Sequence, residues 1–304
     1  MKHVFICNPF AGSGNAEELI PVIEDYFKSH PEEVYEIRKT EYPKHATEIA
    51  REYRKEDDVC LYAIGGDGTA FEVLNGIQDG VRMAVIPNGT GNDYYRMIGD
   101  NTKSVKEILI ETIEGKNVQV DYGIANERKY LNASSMGIDA DINERANYLG
   151  KKYPIPKSLV YIVAAVQKVF KPQPHLYTVE FNGQTLKQKA LLVAVMVGGY
   201  YGGGFYPTPM ADIQDGMFDV LIADDMKVSR IFNLLPKYMK GKHVGLKEVH
   251  FYQTDRLTLI SDTPVLYGCD GEPVLETKIE YRLVKGGLAL RVPKNSPLRE
   301  YKIG

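Results

Sequence analysis

The first 122 residues alternate strand-like segments with segments of helical periodicity. The strand-like segments are HVFIC, VYEIRKT, VCLYAI and RMAVIP, at residues 3–7, 34–40, 59–64 and 82–87. Three of the four are nearly continuous apolar runs, which are typical of parallel strands buried on both faces. After the first run, Leu19, Ile23 and Phe27 lie on one stripe of a predicted helix. This alternation predicts a doubly wound α/β domain with a parallel sheet.

From about residue 123 the pattern changes to short segments in which apolar and polar residues alternate. Asn182–Gly183 and residues 285–287 are turn signals of the kind that join antiparallel strands. Longer apolar segments near 157–170 and 228–240 predict inserted helices. The second part of the chain is therefore predicted to be an antiparallel β-sandwich.

The change in pattern also sets the expected domain boundaries. A chain of 304 residues suits two domains. We expect an α/β domain of residues 1–122, joined by the tail at about 291–304. The β-sandwich domain then covers residues 123–290.

Charge and cysteine content exclude several classes of protein. The net charge is −3, so no global basic field would recruit nucleic acid. Cys7, Cys60 and Cys269 have no metal-ligand spacing, and their odd number argues against a disulfide framework. No signal-peptide pattern and no apolar run of about 18 residues stands out. We therefore expect a cytoplasmic protein.

Three glycine-containing turns follow the first, third and fourth predicted strands. They read NPFAGSG, GGDGT and NGTGND, at residues 8–14, 65–69 and 88–93. In an open α/β sheet, ligands bind beyond the carboxyl ends of the strands, where helix N-termini offer free N–H groups to phosphate. One such turn would be explained as a simple left-handed turn, but three at corresponding positions favour an anion site. Neither a P-loop lysine nor a GxGxxG fingerprint is present.

Two of these turns also carry a carboxylate, Asp67 in the second and Asp93 in the third. Carboxylates beside phosphates indicate Mg²⁺, because the metal bridges groups of like charge. Either residue alone is equally well explained as a helix N-cap. Arg96, just beyond Asp93, has two interpretations. It could contact a phosphate oxygen, or it could lie on a solvated helix face.

Taken together, the turn sequences resemble the diacylglycerol kinase catalytic domain, a family that includes bacterial lipid kinases, sphingosine kinases and ceramide kinases. GGDGT alone is not decisive, since NAD kinases and phosphofructokinases carry similar strings. The combination of motifs carries the resemblance, and later blocks extend it over almost the whole chain. These motifs are Asn8-Pro9-x-Ala11-Gly12, Gly65-Gly66-Asp67-Gly68-Thr69, Pro87-Asn88-Gly89-Thr90-x-Asn92-Asp93, Gly202-Gly203-Gly204, Asp215-Gly216-x-Phe218-Asp219 and Asp270-Gly271-Glu272.

The resemblance implies an ATP-dependent lipid kinase, with diacylglycerol as the first expected acceptor and phosphatidic acid as its product. ATP would lie along the three turns, and the catalytic Mg²⁺ would be held by Asp67 and Asp93. The implied nucleotide-binding residues are Asn8, Pro9, Ala11, Gly12, Thr40, Gly65, Gly66, Asp67, Gly68, Thr69, Glu72, Asn88, Gly89, Thr90, Asn92, Asp93 and Arg96.

The resemblance also implies an active site in the cleft between the domains. There Glu272, with Asp270 beside it, would accept the proton of the lipid hydroxyl. Asp67 is the alternative base, as related sphingosine kinases are usually interpreted. Without the resemblance, Asp270-Gly271 would be interpreted only as a hairpin turn.

A second, structural Mg²⁺ site is implied in the segment ADIQDGMFDV. Asp215 would contribute its side chain, and Asp212 and Met217 their backbone carbonyls. Such oxygen ligands on a tight turn suit Mg²⁺ or Ca²⁺. The alternative is an Asp-Gly turn whose carboxylates are solvated.

The contact with a lipid and the identity of the acceptor stay open at this point. Residues 157–171 are apolar on nearly every face and are flanked by lysines, which fits either a membrane-surface helix or, preferably, a helix that covers a core. The resemblance implies transient, peripheral association with the inner face of the membrane, and a homodimer is possible by analogy. The alternative acceptors are phosphatidylglycerol, a sphingoid base and soluble NAD. A nucleotide-binding protein without catalysis is the remaining alternative.

Overall fold

The computed structural model describes residues 1–12, 15–153 and 157–300, which form two compact units. The first unit contains residues 1–122, 213–216 and the chain from 284 onwards, and the second contains residues 123–212 and 217–283. The first is an α/β unit and the second a β-sandwich with added helices, so the expected fold class is confirmed.

The first unit is built on a parallel sheet. Its strands follow the spatial order β4–β3–β1–β2, and residues 289–291 of the chain's last strand extend this sheet beside β4. The elements are β1 (Lys2–Cys7), α1 (Ile20–Ser29), β2 (Val34–Lys39), α2 (His45–Arg51), β3 (Val59–Gly65), α3 (Asp67–Gly76), β4 (Arg82–Pro87), α4 (Tyr95–Ile98), α5 (Val105–Ile113) and β5 (Lys116–Ala125). Because β1 pairs with both β2 and β3, the direction of winding reverses at β1.

Burial of the central strands explains why their sequences are apolar. Every residue of β3 is buried, and so is every residue of β1 after Lys2. One side of the sheet packs against α1 and α5, whose apolar stripes supply Ile23, Phe27 and Leu109 to a shared core. The edge strand β2 has no fully buried residue, and its sequence is correspondingly polar.

The second unit is an antiparallel sandwich. Its spatial order is β11–β10–β9–β7–β12–β13, and β8 pairs with both β9 and β12. The elements are β6 (Arg128–Tyr130), β7 (Ala133–Gly137), α6 (Ile138–Lys152), α7 (Lys157–Phe170), β8 (His175–Phe181), β9 (Gln184–Met196), β10 (Phe218–Asp224), α8 (Val228–Met239), β11 (Val249–Thr254), β12 (Arg256–Cys269) and β13 (Glu272–Val292).

The sequence patterns predict α7 and α8 but not α6. Asp139 explains the omission, because it places an acidic residue at a position that is only 7% exposed and so interrupts the apolar stripe. The helix follows Gly137, whose φ is +84°. A Cβ at Gly137 would lie 2.3 Å from the carbonyl oxygen of Leu191, so the entry to α6 requires glycine.

The structure divides the chain differently from the boundary expected at residue 290. Residues 284–290 and 213–216 belong to the first unit, whereas the sequence patterns assigned them to the second. The reason is Asp121, a buried acid whose carboxylate accepts hydrogen bonds from the N–H groups of Gly216 (2.7 Å) and Gly286 (2.6 Å). These contacts join segments far apart in sequence, and local periodicity does not reveal them.

Helix α7 has two different apolar faces. Val160, Ala164 and Val169 are buried in the core of the second unit, as the covering-helix interpretation predicts. The opposite face exposes Val163 and Val166, and Phe170 is 61% exposed at the end of the helix. Within the described ranges, no helix is both long and apolar enough to cross a membrane.

Candidate active site

The three glycine turns lie at the carboxyl ends of three neighbouring strands. They follow β1, β3 and β4, which are adjacent in the sheet and parallel. The winding reverses at β1, so the first and second turns flank a topological switch point, where open α/β sheets form their ligand crevice. Ser13 and Gly14 of the first turn lie outside the described residues.

The glycines of these turns allow the turns to pack against one another. A Cβ at Gly12 would lie 2.4 Å from the carbonyl oxygen of Asn88, and one at Gly89 would lie 2.4 Å from the Cα of Gly66. The third turn therefore contacts both the first and the second, backbone against backbone. Gly12 also has a φ of +60°, a left-handed conformation that favours glycine.

Side-chain hydrogen bonds join the first turn to the second. The Nδ2 of Asn8 donates to the hydroxyl oxygen of Thr69 at 2.9 Å, and the Oδ1 of Asn8 accepts the N–H of Phe10 at 3.0 Å. Thr69 is 3% exposed, and a Cβ at Gly65 would lie 2.2 Å from its Oγ1. The asparagine, the threonine and the glycine therefore form one packed unit.

Asp67 connects the second turn to the third. Its Oδ2 accepts the N–H of Asp93 and its Oδ1 accepts the N–H of Tyr94, both at 3.1 Å. The N-cap of α3 is Gly66, and Asp67 is the first residue of the helix, where its negative charge is favourable. The N-cap alternative considered from the sequence is therefore wrong for Asp67, which instead bridges two turns.

The third turn is also ordered from within. Asn92 has a φ of +51°, which asparagine tolerates well, and its amide both accepts from the N–H of Gly89 (2.9 Å) and donates to its carbonyl (3.0 Å). Asp93 is 5% exposed, and its Oδ1 lies 3.5 Å from the Nε of Arg96. Arg96 is itself exposed. The structure thus places the guanidinium of Arg96 beside the buried carboxylate of Asp93, whose backbone N–H binds Asp67.

Asp67 and Asp93 fit a magnesium ion whose remaining ligands include phosphate oxygens of a nucleotide. Mg²⁺ in nucleotide sites is usually bound by one or two carboxylates and by phosphate oxygens. The backbone hydrogen bond between Asp93 and Asp67 holds two acidic residues together. Each oxygen of Asp67 accepts one N–H group and keeps capacity for another partner. In the part of the chain that is described, no cluster of three His, Cys, Asp or Glu residues could hold a metal without such help.

Of the other predicted nucleotide-binding residues, some form hydrogen bonds within the protein and others are exposed. Thr40 is buried and donates its N–H to the carbonyl of Cys7 at 2.9 Å. Glu72 accepts the N–H of Lys44 at 3.0 Å, so its carboxylate holds the loop before α2. By contrast, Gly68 and Thr90 are exposed, and a Cβ at Gly68 would meet nothing within 4 Å. Open space therefore adjoins the first turn of α3. The N–H groups of Thr69 and Ala70 donate to the carbonyl of Gly66, at 2.9 and 3.2 Å, whereas those at the first two positions of a helix have no carbonyl within the helix to bind.

In the second unit, Asp270 lies in a two-residue hairpin turn, and Glu272 is the first residue of the strand that follows it. Asp270 and Gly271 connect β12 to β13 with φ values of +45° and +93°. The Asp270 carboxylate accepts three backbone N–H groups, from Leu131 (2.7 Å), Asn132 (3.1 Å) and Ala133 (3.0 Å). Its position thus gives it a structural role, fixing the segment before β7.

Glu272 is placed quite differently from Asp270. It is exposed, and its carboxylate makes no hydrogen bond or ion pair with any described residue, while its carbonyl accepts from Arg128 at 3.0 Å. Of these two acids, only Glu272 therefore has a carboxylate that is available to accept a proton.

The three residues predicted for the structural metal do not all belong to one unit. Asp215 belongs to the first, and Asp212 and Met217 to the second. In the first unit, the carbonyl of Asp215 accepts from the Nζ of Lys285 at 3.3 Å.

The sequence interpretation missed Asp121. Burial and the nearby charge of Asp215 raise the pKa of the Asp121 carboxyl. The sequence signal that could have revealed this residue is an acid inside the mostly apolar segment VQVDYGIA.

Family models match both parts of the chain. Residues 2–125 match the diacylglycerol kinase catalytic domain, and residues 132–292 match the YegS C-terminal NAD kinase beta sandwich-like domain. A diacylglycerol kinase of Mycobacterium tuberculosis is 29% identical over 82% of this chain and 81% of its own length. YtlR of Bacillus subtilis is 25% identical over 96% of this chain and 99% of its own length. A solved structure from Bacillus anthracis shares the fold, with a TM-score of 0.76 over 96% of this chain and 97% of that one, at 23% identity.

Proposed function

Because the chain belongs to the diacylglycerol kinase catalytic-domain family of lipid kinases, we propose that it transfers the γ-phosphate of ATP to a lipid hydroxyl. Diacylglycerol is the proposed acceptor, and phosphatidic acid is then the product. A relative named diacylglycerol kinase, 29% identical to this chain, supports this acceptor.

The observation that carries the proposal is the convergence of the three turns. They meet at the carboxyl ends of β1, β3 and β4, and the carboxylate of Asp67 ties the second turn to the third. A kinase needs a rigid cradle of backbone N–H groups around the nucleotide phosphates, since positioning and charge stabilisation supply most of the catalysis in phosphoryl transfer. A turn that is held on both sides by its neighbours provides such rigidity.

The residues of the first unit would bind and orient the nucleotide. The N–H groups at the start of α3 would face the phosphates beside the exposed Gly68, and Arg96 would contribute a positive charge. Mg²⁺, when bound by Asp67 and Asp93, neutralises charge on the phosphate oxygens. Besides holding the metal, Asp67 would act as a positioning residue, because its two oxygens accept N–H groups of the third turn.

Glu272 is the proposed general base. The oxygen of the lipid hydroxyl forms a bond to the γ-phosphorus while the bond from that phosphorus to the bridging oxygen of ADP breaks. The hydroxyl proton passes to the carboxylate of Glu272, which no described side chain or backbone group occupies. Asp270 supports this step indirectly, since its three backbone hydrogen bonds fix the turn that precedes Glu272.

Three further expectations belong to the proposal. Mg²⁺ at Asp212, Asp215 and Met217 stays a prediction, and so does a homodimer. Transient contact with a membrane surface follows from the proposed substrate, because the acceptor lipid resides there.

The test is transfer of radiolabelled phosphate from ATP to lipid. Purified protein is incubated with γ-³²P-labelled ATP, Mg²⁺ and mixed vesicles that contain diacylglycerol, phosphatidylglycerol or a sphingoid base, and the labelled product is identified. We expect labelled phosphatidic acid from the wild type and at least about a hundredfold less from Glu272→Gln. Absence of any labelled lipid from the folded wild type would refute the proposal.

Two control reactions distinguish the alternatives. Incubation with ATP and NAD, followed by assay for NADP, tests the soluble acceptor. Calorimetric titration with ATP and Mg²⁺ tests the alternative of a nucleotide-binding protein without catalysis. Such a protein would bind ATP tightly and label no lipid.

A further inference from the structure

The loop that follows β2 carries an aromatic pair at the carboxyl edge of the parallel sheet. The ring of Tyr42 stacks on that of His45, with the centroids 4.4 Å apart and the planes 5° from parallel. Tyr42 follows the end of β2 at Lys39, and 48% of its surface is exposed. Because β1 and β2 are parallel, this loop and the first glycine turn leave the sheet at the same edge. The aromatic pair therefore lies beside the candidate active site, beyond its first turn.

Hydrogen bonds hold this loop to the elements that carry the first and second glycine turns. Thr40 donates its N–H at 2.9 Å to the carbonyl of Cys7, the last residue before the first turn. Lys44 donates its N–H to the carboxylate of Glu72 at 3.0 Å, and the hydroxyl of Thr47 donates to the Glu72 carbonyl at 2.8 Å. Glu72 lies on α3, the helix that begins at the second turn. The position of the loop is thus fixed relative to both turns.

The two rings are also fixed within the loop. The hydroxyl of Tyr42 donates to the carboxylate of Glu48 at 2.6 Å, and the N–H of His45 donates to the Tyr42 carbonyl at 3.2 Å. The Nδ1 of His45 accepts the N–H of Glu41 at 3.1 Å. Because these side chains are already ordered, a ligand that binds them costs little conformational entropy. With one face on His45 and nearly half of its surface exposed, the Tyr42 ring keeps area for a second planar group.

The order of the strands relates this ring to a nucleotide bound at the turns. Neighbouring strands lie about 4.8 Å apart, so the loop after β2 begins about 5 Å from the turn after β1 and about 10 Å from the turn after β3. When phosphates occupy the glycine turns, the ribose and the base of the same molecule extend beyond them. Aromatic side chains bind such bases by stacking, since every base has a π-face. An exposed ring at this distance is placed to meet the base.

We propose that Tyr42, supported by His45, stacks on the adenine of the bound ATP. The proposal rests on the proposed function, because ATP is the phosphate donor of the kinase. The turns offer N–H groups and carboxylates to phosphates and metal, whereas Tyr42 offers an aromatic surface to the base. Stacking distinguishes little between bases, so the chemical class of the ligand is a purine nucleoside triphosphate.

A tryptophan at this position reports stacking directly. The chain contains no tryptophan, so Tyr42→Trp introduces a single fluorophore, whose emission is quenched when adenine stacks on it. We expect saturable quenching of Tyr42→Trp by ATP with Mg²⁺, and none by inorganic tripolyphosphate, which lacks a base. Tyr35→Trp is the matched control. Tyr35 also stacks on one aromatic ring, that of Phe27 at 4.5 Å, and is 38% exposed, but it lies near the amino end of β2. ATP should leave its fluorescence unchanged.

The loss of the ring is measured as a loss of ATP affinity in calorimetric titration without lipid. Stacking on a half-exposed ring lies at the lower end of the energies measured for bases on aromatic side chains, so Tyr42→Ala should bind ATP about five- to tenfold more weakly. Tyr42→Phe keeps the ring and loses only the hydrogen bond to Glu48, and it should stay within about twofold of the wild type. Circular dichroism and thermal melting establish that each variant is folded.

Three results would overturn the assignment of Tyr42. They are wild-type ATP affinity in folded Tyr42→Ala, unchanged fluorescence of Tyr42→Trp at saturating ATP, and equal quenching by tripolyphosphate, which would report a movement of the loop. Any of these together with labelled lipid in the transfer assay refutes the stacking proposal alone. Quenching and weaker binding without any labelled lipid refute the kinase proposal alone, and absence of ATP binding by the folded wild type overturns both.

Discussion

Replacing Asp67 with alanine tests whether its carboxylate joins two turns of the candidate active site. The change removes two hydrogen bonds, from the N–H groups of Asp93 and Tyr94, to a charged acceptor. Hydrogen bonds to charged groups contribute about 1.5–3 kcal/mol each. Asp67 is half-buried, so we take the lower end and expect a loss of about 3 kcal/mol in the free energy of unfolding. The melting temperature should fall by about 6–12 °C.

Asp67→Asn should give an intermediate loss. Its amide keeps one acceptor oxygen, but its NH₂ group then faces a backbone N–H and cannot accept from it. Asp79→Ala is the control, because Asp79 is an exposed acid of the same unit. Melting is followed by circular dichroism, and ATP affinity by calorimetric titration in the presence of Mg²⁺. If Asp67→Ala melts within about 1 °C of the wild type, the carboxylate does not hold the turns together.

Three further predictions concern separate features of the molecule. Gly89→Ala places a Cβ 2.4 Å from the Cα of Gly66 and should destabilise the protein by about 1–3 kcal/mol, whereas Gly68→Ala enters open space and should change ATP affinity but not melting. Glu272→Gln should lower turnover with the melting temperature and the ATP affinity unchanged, and a parallel loss of affinity would contradict its role as a base. Burial raises the pKa of the Asp139 carboxyl from 3.8 to about 6, so between about pH 4 and 6 only the unfolded chain ionises this group. The free energy of unfolding should therefore fall by about 3 kcal/mol as the pH rises through this range. Urea unfolding of the wild type and of Asp139→Asn across this range separates the effect of Asp139 from that of His243, whose pKa is lowered by burial and which acts in the opposite direction. Identical dependence of stability on pH in the two proteins would count against the prediction.

Local patterns were sufficient for most of the first unit. The strands β1, β3 and β4 are buried on both faces, so their apolar sequences identify them directly. The glycine turns that follow them are equally visible, because each lies within a few residues of its strand. Helix α6 was missed because Asp139 is buried in its apolar face, where its partner Tyr201 is 62 residues away along the chain.

The roles of individual acids depended on contacts between distant segments. Asp67 and Asp270 look alike in sequence, as acids in glycine-containing turns. Both proved to accept backbone N–H groups, in one case from residues 93 and 94 and in the other from residues 131–133. Glu272, two residues beyond Asp270, has no such partner among the described residues.

By itself, the sequence determined the fold class, the three turns and the family, because strand burial, turn chemistry and motif spacing are local properties of the chain. Only the tertiary structure decided why the turns contain glycine and what their acids bind. Gly66 and Gly89 are far apart in sequence, yet their backbones touch, since β3 and β4 are neighbours in the sheet. Hydrogen bonds and close contacts of this kind depend on which strands become adjacent, and no local pattern records that.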